Sequence, residues 1–290
     1  MKRLTIAAAA SSLVAGCAPR GIMDPVGPVA AAEKQILINS TAIMLAIIIP
    51  VIVLTIGFAW WFRRGNTKAR YRPDWEFSGA IELVIWSVPA LTVMLLGGMT
   101  WIASHDLDPM KPIPSKTGQT LHVQVVSLDW KWLFIYPDQG IATVNYLVVP
   151  AGETVHFDLT SATVWNPFFV PQMGSMIYTM PGMPVGLNLR ADRLGNFEGR
   201  SAHFSGDGFP GMEFNVLSVK PEQFAAWTQQ AKGQPALDFA TYQKLSKPSS
   251  YVKHMTFSNV APGLFQAAVS GKAPAPQPLP HNPPISGSVG

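Results

Sequence analysis

Cysteine is almost absent from this chain: one residue in 290, at position 17. A single thiol cannot close an internal disulfide, and zinc or iron–sulfur sites built from several cysteines are excluded with it. Any soluble part is therefore held by its core alone. Charge is scarce too. Asp, Glu, Lys and Arg make up 13% of residues, and the formal net charge of +4 is small and scattered, partly in Lys2 and Arg3. That balance gives no reason to expect nucleic acid as a partner. Against these shortages, 48% of the chain is hydrophobic and unevenly spread, which points to lipid contact. The length permits one or two domains, and no internal repeat is present.

The lone cysteine has a context of its own. "MKRLTIAAAASSLVAGC" opens with two basic residues, continues with an apolar run from Leu4, and ends in small residues at Ala15 and Gly16. These are the three parts of a secretory signal, expected over residues 1–16. "LVAGC" also resembles the bacterial lipobox, which implies lipid attachment at Cys17. An ordinary signal with an incidental cysteine is the plainer alternative.

Two long uncharged or nearly uncharged runs follow, within a segment expected over residues 17–110. Residues 41–62 carry no charge, and residues 80–103 carry only Glu82. At about 1.5 Å per residue, each crosses a hydrocarbon layer of about 30 Å as a helix. Pro50 and Pro89 lie inside them, which spanning helices tolerate. Trp60 and Trp61 suit the membrane interface. The connection holds Arg63, Arg64, Lys68, Arg70 and Arg72, so the positive-inside rule places it in the cytoplasm and both outer ends in the periplasm.

Beyond about residue 111 the pattern changes. "LHVQVVSLDWKWLFIYP" alternates apolar and polar residues and is rich in β-branched and aromatic types, as strands are. Further strand-like runs separated by turns predict a β-sandwich or Greek-key barrel over residues 111–220. "PEQFAAWTQQAKG" and "DFATYQKLSK" read as helices of an extension over 221–270, and residues 271–290 form a Pro-rich tail.

These stretches together resemble a known family. "GFAWWFR", "IELVIWSVP", "VVSLDWKWLFIYPDQGIATVN", "NPFFVPQMGSMIYTMPGM" and "GRSAHFSGDGFPGM" are similar to subunit II of the haem–copper terminal oxidases, specifically the bo-type ubiquinol oxidases. The resemblance runs from the lipobox to about Phe265. It implies a two-helix transmembrane hairpin followed by a cupredoxin-like Greek-key β-sandwich in the periplasm of a bacterial inner membrane.

In the cytochrome c oxidase branch of that family the domain holds a dinuclear copper centre. Laid onto this sequence, its two histidines fall at Asn166 and Phe209, its two cysteines at Ser201 and Ser205, and its backbone carbonyl at His203. Met212 alone keeps its ligand type. Hydroxyls ionise too weakly to replace bridging thiolates, and a phenyl ring has no lone pair to offer. No metal or other cofactor is therefore expected on this chain, nor a landing site for cytochrome c. Gly199, Gly206, Gly208 and Gly211 are expected to keep the loop by supplying backbone freedom.

The resemblance further implies a proton-pumping enzyme that oxidises ubiquinol and reduces oxygen to water. Haems and copper would sit in a large subunit I, beside small membrane subunits III and IV. This chain would be a structural, non-redox subunit in the lipid bilayer. Glu82 matches a family glutamate, in "E-x-x-x-W-x-x-P", at the mouth of a proton-uptake channel; a hydrated interfacial acid is the alternative. The aromatics of "WKWLFIYP" are expected to be packing and strand surface. His105, His122, His156, His254 and His281 form no ligand motif, and Met173, Met176, Met180 and Met183 are read as core packing. Two rival functions remain open: a membrane lipoprotein acting only in binding or assembly, and a cytochrome c oxidase subunit with unusual copper ligands.

Overall fold

A computed structural model describes residues 21–70 and 72–272. The expected signal, Cys17, His281 and nearly all of the Pro-rich tail lie outside the described residues. The chain divides into two compact units, one of residues 32–108 and one that joins the residues before 32 to those from 109 onward.

The first of these carries two helices. Helix α1 spans Pro28–Trp61 and α2 spans Gly79–Asp106. Helix α1 begins well before the apolar run at 41–62 and ends at its close, and α2 exceeds the run at 80–103 at both ends, because after the first position of each helix no Gly or Pro interrupts the helical residues beyond those boundaries. Pro28 stands at the first position of α1, where its missing N–H costs nothing. Both helices are long and apolar enough to cross a membrane, and the most hydrophobic window of each is wholly unburied. Such faces are stable where the surroundings are lipid.

The second unit is a two-sheet β-sandwich. Its strands are β1 (Thr120–Leu128), β2 (Lys131–Tyr136), β3 (Ile141–Val144), β4 (Tyr146–Pro150), β5 (Thr154–Ser161), β6 (Asn166–Val170), β7 (Gly174–Thr179), β8 (Val185–Arg190), β9 (Gly195–Ser201), β10 (Glu213–Val219) and β11 (Met255–Ser258). One sheet runs β11-β3-β2-β1-β5-β8 and the other β4-β10-β9-β6-β7. Parallel pairing of β1 with β5 and of β4 with β10 is set among antiparallel neighbours. The chain changes sheets at Asn145, whose positive φ of 54° suits a residue type that tolerates the left-handed region. Its side chain accepts from the Trp132 N–H at 2.8 Å and donates to the Val252 carbonyl at 2.9 Å, so the corner is fixed from both sides.

Between the sheets lies an aromatic core. The Phe168 and Phe214 rings stack at 5.1 Å, with Trp132 and Phe134 edge-on or tilted against them. Tyr136 is also fully buried; its hydroxyl donates to the Val148 carbonyl at 3.1 Å and accepts from the Val148 N–H at 2.8 Å. Burial pushes its phenol pKa well above the ordinary value.

Strand β2 departs from its expected half-exposed character: every residue in it is buried. The reason is the C-terminal extension, made of α3 (Pro221–Ala231), α4 (Phe239–Leu245), β11 and α5 (Leu264–Val269). Its Leu237, Tyr242, Leu245, Leu264 and Phe265 form a second core with Leu133 and Ile135, on the sheet face that alternation alone would leave to solvent. Each side chain so covered contributes about 1.5–3 kcal/mol. Even Lys131 is only 1% exposed. Its ammonium donates to the carbonyls of Asp129 (3.0 Å) and Lys247 (2.9 Å), tying the strand to the extension.

The segment before α1 also belongs to the sandwich, so the expected single segment 17–110 is divided. Val26 enters the inter-sheet core. Its N–H donates to the Gln172 carbonyl at 2.7 Å, and its carbonyl accepts from Asp192 N–H at 2.7 Å. Asp24 pairs with Arg193 at 2.7 Å.

Candidate functional site

Of the six positions that the resemblance aligns with copper ligands, hydrogen bonds link Asn166, Ser201, His203 and Met212. Strands β6 and β9 pair with Phe168 opposite Ser201, which brings Asn166 to Ser201 although they lie 35 residues apart. Both are buried. The Ser201 hydroxyl donates to Asn166 Oδ1 at 3.3 Å and lies 3.4 Å from the His203 carbonyl. The Asn166 amide donates to Ser127 Oγ at 2.9 Å and to the Val164 carbonyl at 3.3 Å. Ser201 N–H donates to the Met212 carbonyl at 3.1 Å, and the Met212 side chain lies in the inter-sheet core.

Three of the positions thus form a neutral hydrogen-bonded cluster. Ser205 and Phe209 sit further along the loop. The Ser205 hydroxyl is buried without a partner among the described residues, while its carbonyl accepts from Trp130 Nε1 at 3.0 Å. Phe209 begins a short 3-10 turn and packs its ring 5.8 Å from Phe204. The donor set does not fit a dinuclear copper centre. The amide nitrogen of Asn166 is already donating, and the two hydroxyls and one phenyl ring supply no anionic or imidazole ligand. Among the described residues no three His, Cys, Asp or Glu side chains converge as a metal site.

The glycines act differently from the expectation. Only Gly206, at φ 108°, uses conformational freedom. Gly199, Gly208 and Gly211 are needed for room: a Cβ would fall 2.2 Å from the Phe214 ring, 2.2 Å from the Trp130 ring and 2.9 Å from the Tyr251 ring. Trp130 and Tyr251 themselves hold positive φ values of 61° and 54°. Trp130 departs from the expectation of packing and strand surface, since it lies in the turn between β1 and β2. Its pairing with the loop, and that of Tyr251, could not be found from spacing, because each contact bridges distant segments.

The methionines divide. Met173 is in the core, but Met176 and Met183 are 45% and 46% exposed, so core packing describes only the first of these three. His122 and His156, far apart in sequence, are cross-strand neighbours with ring centroids at 5.7 Å. His156 Nδ1 is 2.8 Å from Asn188 Oδ1. His105 packs on Trp101 and His254 on Tyr146. Glu82 stands in the first turn of α2, where a carboxylate suits the positive end of the helix dipole, and it is exposed.

Residues 231–270 match the COX Aromatic Rich Motif family, the stretch that covers the outer face of β2. Cytochrome bo(3) ubiquinol oxidase subunit 2 of Pseudomonas aeruginosa is 46% identical over 257 residues, 88% of this chain and 77% of that one. Ubiquinol oxidase subunit 2 of Acetobacter aceti is 45% identical over 260 residues, covering 89% and 84%. Among solved structures, the periplasmic domain of subunit II of cytochrome oxidase from Bradyrhizobium japonicum aligns with a TM-score of 0.39 at 24% identity, over 43% of this chain and 98% of that one. Identity of this order, across nearly nine tenths of the sequence, means that the chain belongs to the family of ubiquinol oxidase subunit 2.

Proposed function

We propose that this chain is the non-redox subunit II of a proton-pumping ubiquinol oxidase that reduces oxygen to water in an aerobic respiratory chain. The observation that carries the non-redox reading is the Ser127–Asn166–Ser201 cluster. Where a copper-bearing domain needs thiolates and imidazole, this one has neutral groups that satisfy each other. Electrons then enter the complex elsewhere, and cytochrome c is not the donor. The sandwich supports the large haem–copper subunit I, with small subunits III and IV completing the assembly.

In this reading the chain is anchored in the bacterial inner membrane with the sandwich in the periplasm. The connection 63–76 faces the cytoplasm, since this short loop next to both spans holds five Lys and Arg residues. Residues 1–16 are removed and Cys17 carries lipid. Glu82, near the cytoplasmic end of α2, contributes to proton uptake, as intramembrane acids often do.

The test is purification through a tag on this chain. A haem-bearing large subunit should accompany it, and the complex should consume oxygen with ubiquinol but not with reduced cytochrome c. Recovery of the chain without haem would favour a binding or assembly lipoprotein instead. Oxidation of cytochrome c at a comparable rate would overturn the non-redox assignment.

A further inference from the structure

The connection between α1 and α2 is more than a row of charges. Asn66 folds it back: its side chain donates to the Trp61 carbonyl at 2.6 Å, closing the end of α1, and its Oδ1 accepts from the Lys68 N–H at 3.1 Å. The Asn66 N–H donates to the Arg63 carbonyl at 2.9 Å. This reversal brings Arg70, Arg72 and Trp75 against Phe62, where the four line a cleft of about 360 Å³. That volume lies within the range of small-molecule sites, about 300–1,000 Å³.

Two features give the cleft a chemistry. Among the described residues, none of Arg63, Arg64, Lys68, Arg70 and Arg72 forms an ion pair. Arg63 instead lies over the Trp60 ring at 4.8 Å, which leaves Arg70 and Arg72 as the cations of the cleft. Its walls, Phe62 and Trp75, are both 57% exposed. Unpaired guanidinium groups beside exposed aromatic rings, at the end of a helix able to cross a bilayer, match a phosphate at headgroup depth with glycerol and acyl carbons beside it. Guanidinium forks bind phosphate oxygens in pairs, which an ammonium cannot do.

We propose that this cleft is a binding site for the headgroup of an anionic phospholipid, its phosphate seated between Arg70 and Arg72 and its glycerol against Phe62 and Trp75. The inference rests on α1 and α2 spanning a bilayer. It differs from a topological signal, which needs only charge, because it needs these two arginines as arginines.

The test uses the full-length chain, delipidated in mild detergent and titrated with phosphatidylglycerol while bound lipid is counted by native mass spectrometry. Arg70→Lys/Arg72→Lys keeps the charge, and therefore the insertion signal, but removes both forks. Arg63→Lys/Arg64→Lys makes the same change outside the cleft. The first pair should weaken phosphatidylglycerol retention by about tenfold and the second should leave it unchanged. Equal loss in both pairs, or loss in neither, overturns the site. Phosphatidylcholine retained as well as phosphatidylglycerol overturns the anionic selectivity, and displacement of the lipid by millimolar inorganic phosphate reassigns the cleft to free phosphate. A chain that needs detergent for extraction yet shows no lipid adduct would sink this inference while leaving the spans intact.

Discussion

Rebuilding the missing ligands tests the residue alignment most directly. In the quadruple variant, Asn166 and Phe209 become His, and Ser201 and Ser205 become Cys. Its cost can be worked out position by position. Asn166→His gives up donations to Ser127 Oγ and the Val164 carbonyl, and Ser201→Cys weakens contacts to Asn166 and the His203 carbonyl. At about 0.5–1.5 kcal/mol per net hydrogen bond, and with three of the four at 3.3–3.4 Å, the sum is about 2–3 kcal/mol. Phe209→His loses the ring contact with Phe204, roughly another 0.5–1 kcal/mol. Ser205→Cys costs nothing, because its buried hydroxyl has no partner and a thiol behaves as a small hydrophobe. The metal-free variant should therefore melt about 10 °C below the parent, at roughly 2–4 °C per kcal/mol for a domain of this size. Copper at a thousandfold excess over its Kd would restore about 4 kcal/mol. The assay is thermal unfolding of the full-length chain in detergent with and without copper, alongside visible absorbance. A folded variant with no copper affinity would refute the alignment of these positions. An undiminished melting temperature without metal would refute the value placed on the hydrogen bonds.

Other outcomes follow from single residues. Tyr136→Phe leaves both backbone groups of Val148 unpaired in the core and should destabilise the sandwich by about 2–4 kcal/mol, read by chemical denaturation; a loss under 1 kcal/mol would mean water replaces the hydroxyl. Burial pulls the Lys131 ammonium down to about 8, against the opposing effect of the Asp129 carboxylate, so the unfolded chain binds more protons between about pH 8 and 10.5 and stability should rise with pH there. Lys131→Met should abolish that part of the rise, and an unchanged slope would place the ammonium in solvent. Glu82→Gln should slow quinol-driven oxygen consumption with haem content intact, and Glu82→Asp should retain more activity because it keeps the titratable group. Full turnover by an assembled Glu82→Gln complex would leave it an ordinary interfacial acid. Cys17→Ser should block lipid attachment while the chain still fractionates with membranes; its release into the soluble fraction would contradict the two spans.

What the sequence made legible, and what it did not, divides along the range of the interactions. Helices α1 and α2 were readable because hydropathy over some 20 residues is a local property. The strands were readable from alternation and turn residues for the same reason. The complete burial of β2 was not, since its second face is covered by Leu237, Tyr242 and Phe265, more than 100 residues downstream. Nor was the place of Val26, which lies ahead of α1 yet packs in the inter-sheet core. At the site, the family resemblance pointed to Asn166 and Ser201 but not to Ser127, whose hydroxyl completes the cluster through a different strand. Met176, in β7, and Met183, in the turn before β8, are exposed because apolar character alone carries no label for which side of an element is covered.

Other parts of the fold depend on the shape of the loop between Ser201 and Met212. Trp130 occupies the left-handed region, which costs a bulky residue roughly 1–3 kcal/mol and survives only where the surroundings enforce it. Here the Nε1–H bond to the Ser205 carbonyl and the close approach of Gly206 and Gly208 enforce it. Tyr251, also left-handed, leans on Gly211 from the C-terminal extension. The loop is thus gripped by one aromatic residue from the β1–β2 turn and one from the extension. That arrangement separates two roles a ligand-bearing loop would combine, holding a shape and holding an ion. The glycines serve the first, because any side chain at 208 or 211 would displace an aromatic ring. The grip on the loop runs through Trp130, Tyr251 and the Ser205 backbone rather than through the side chains of residues 166, 201, 205 and 209.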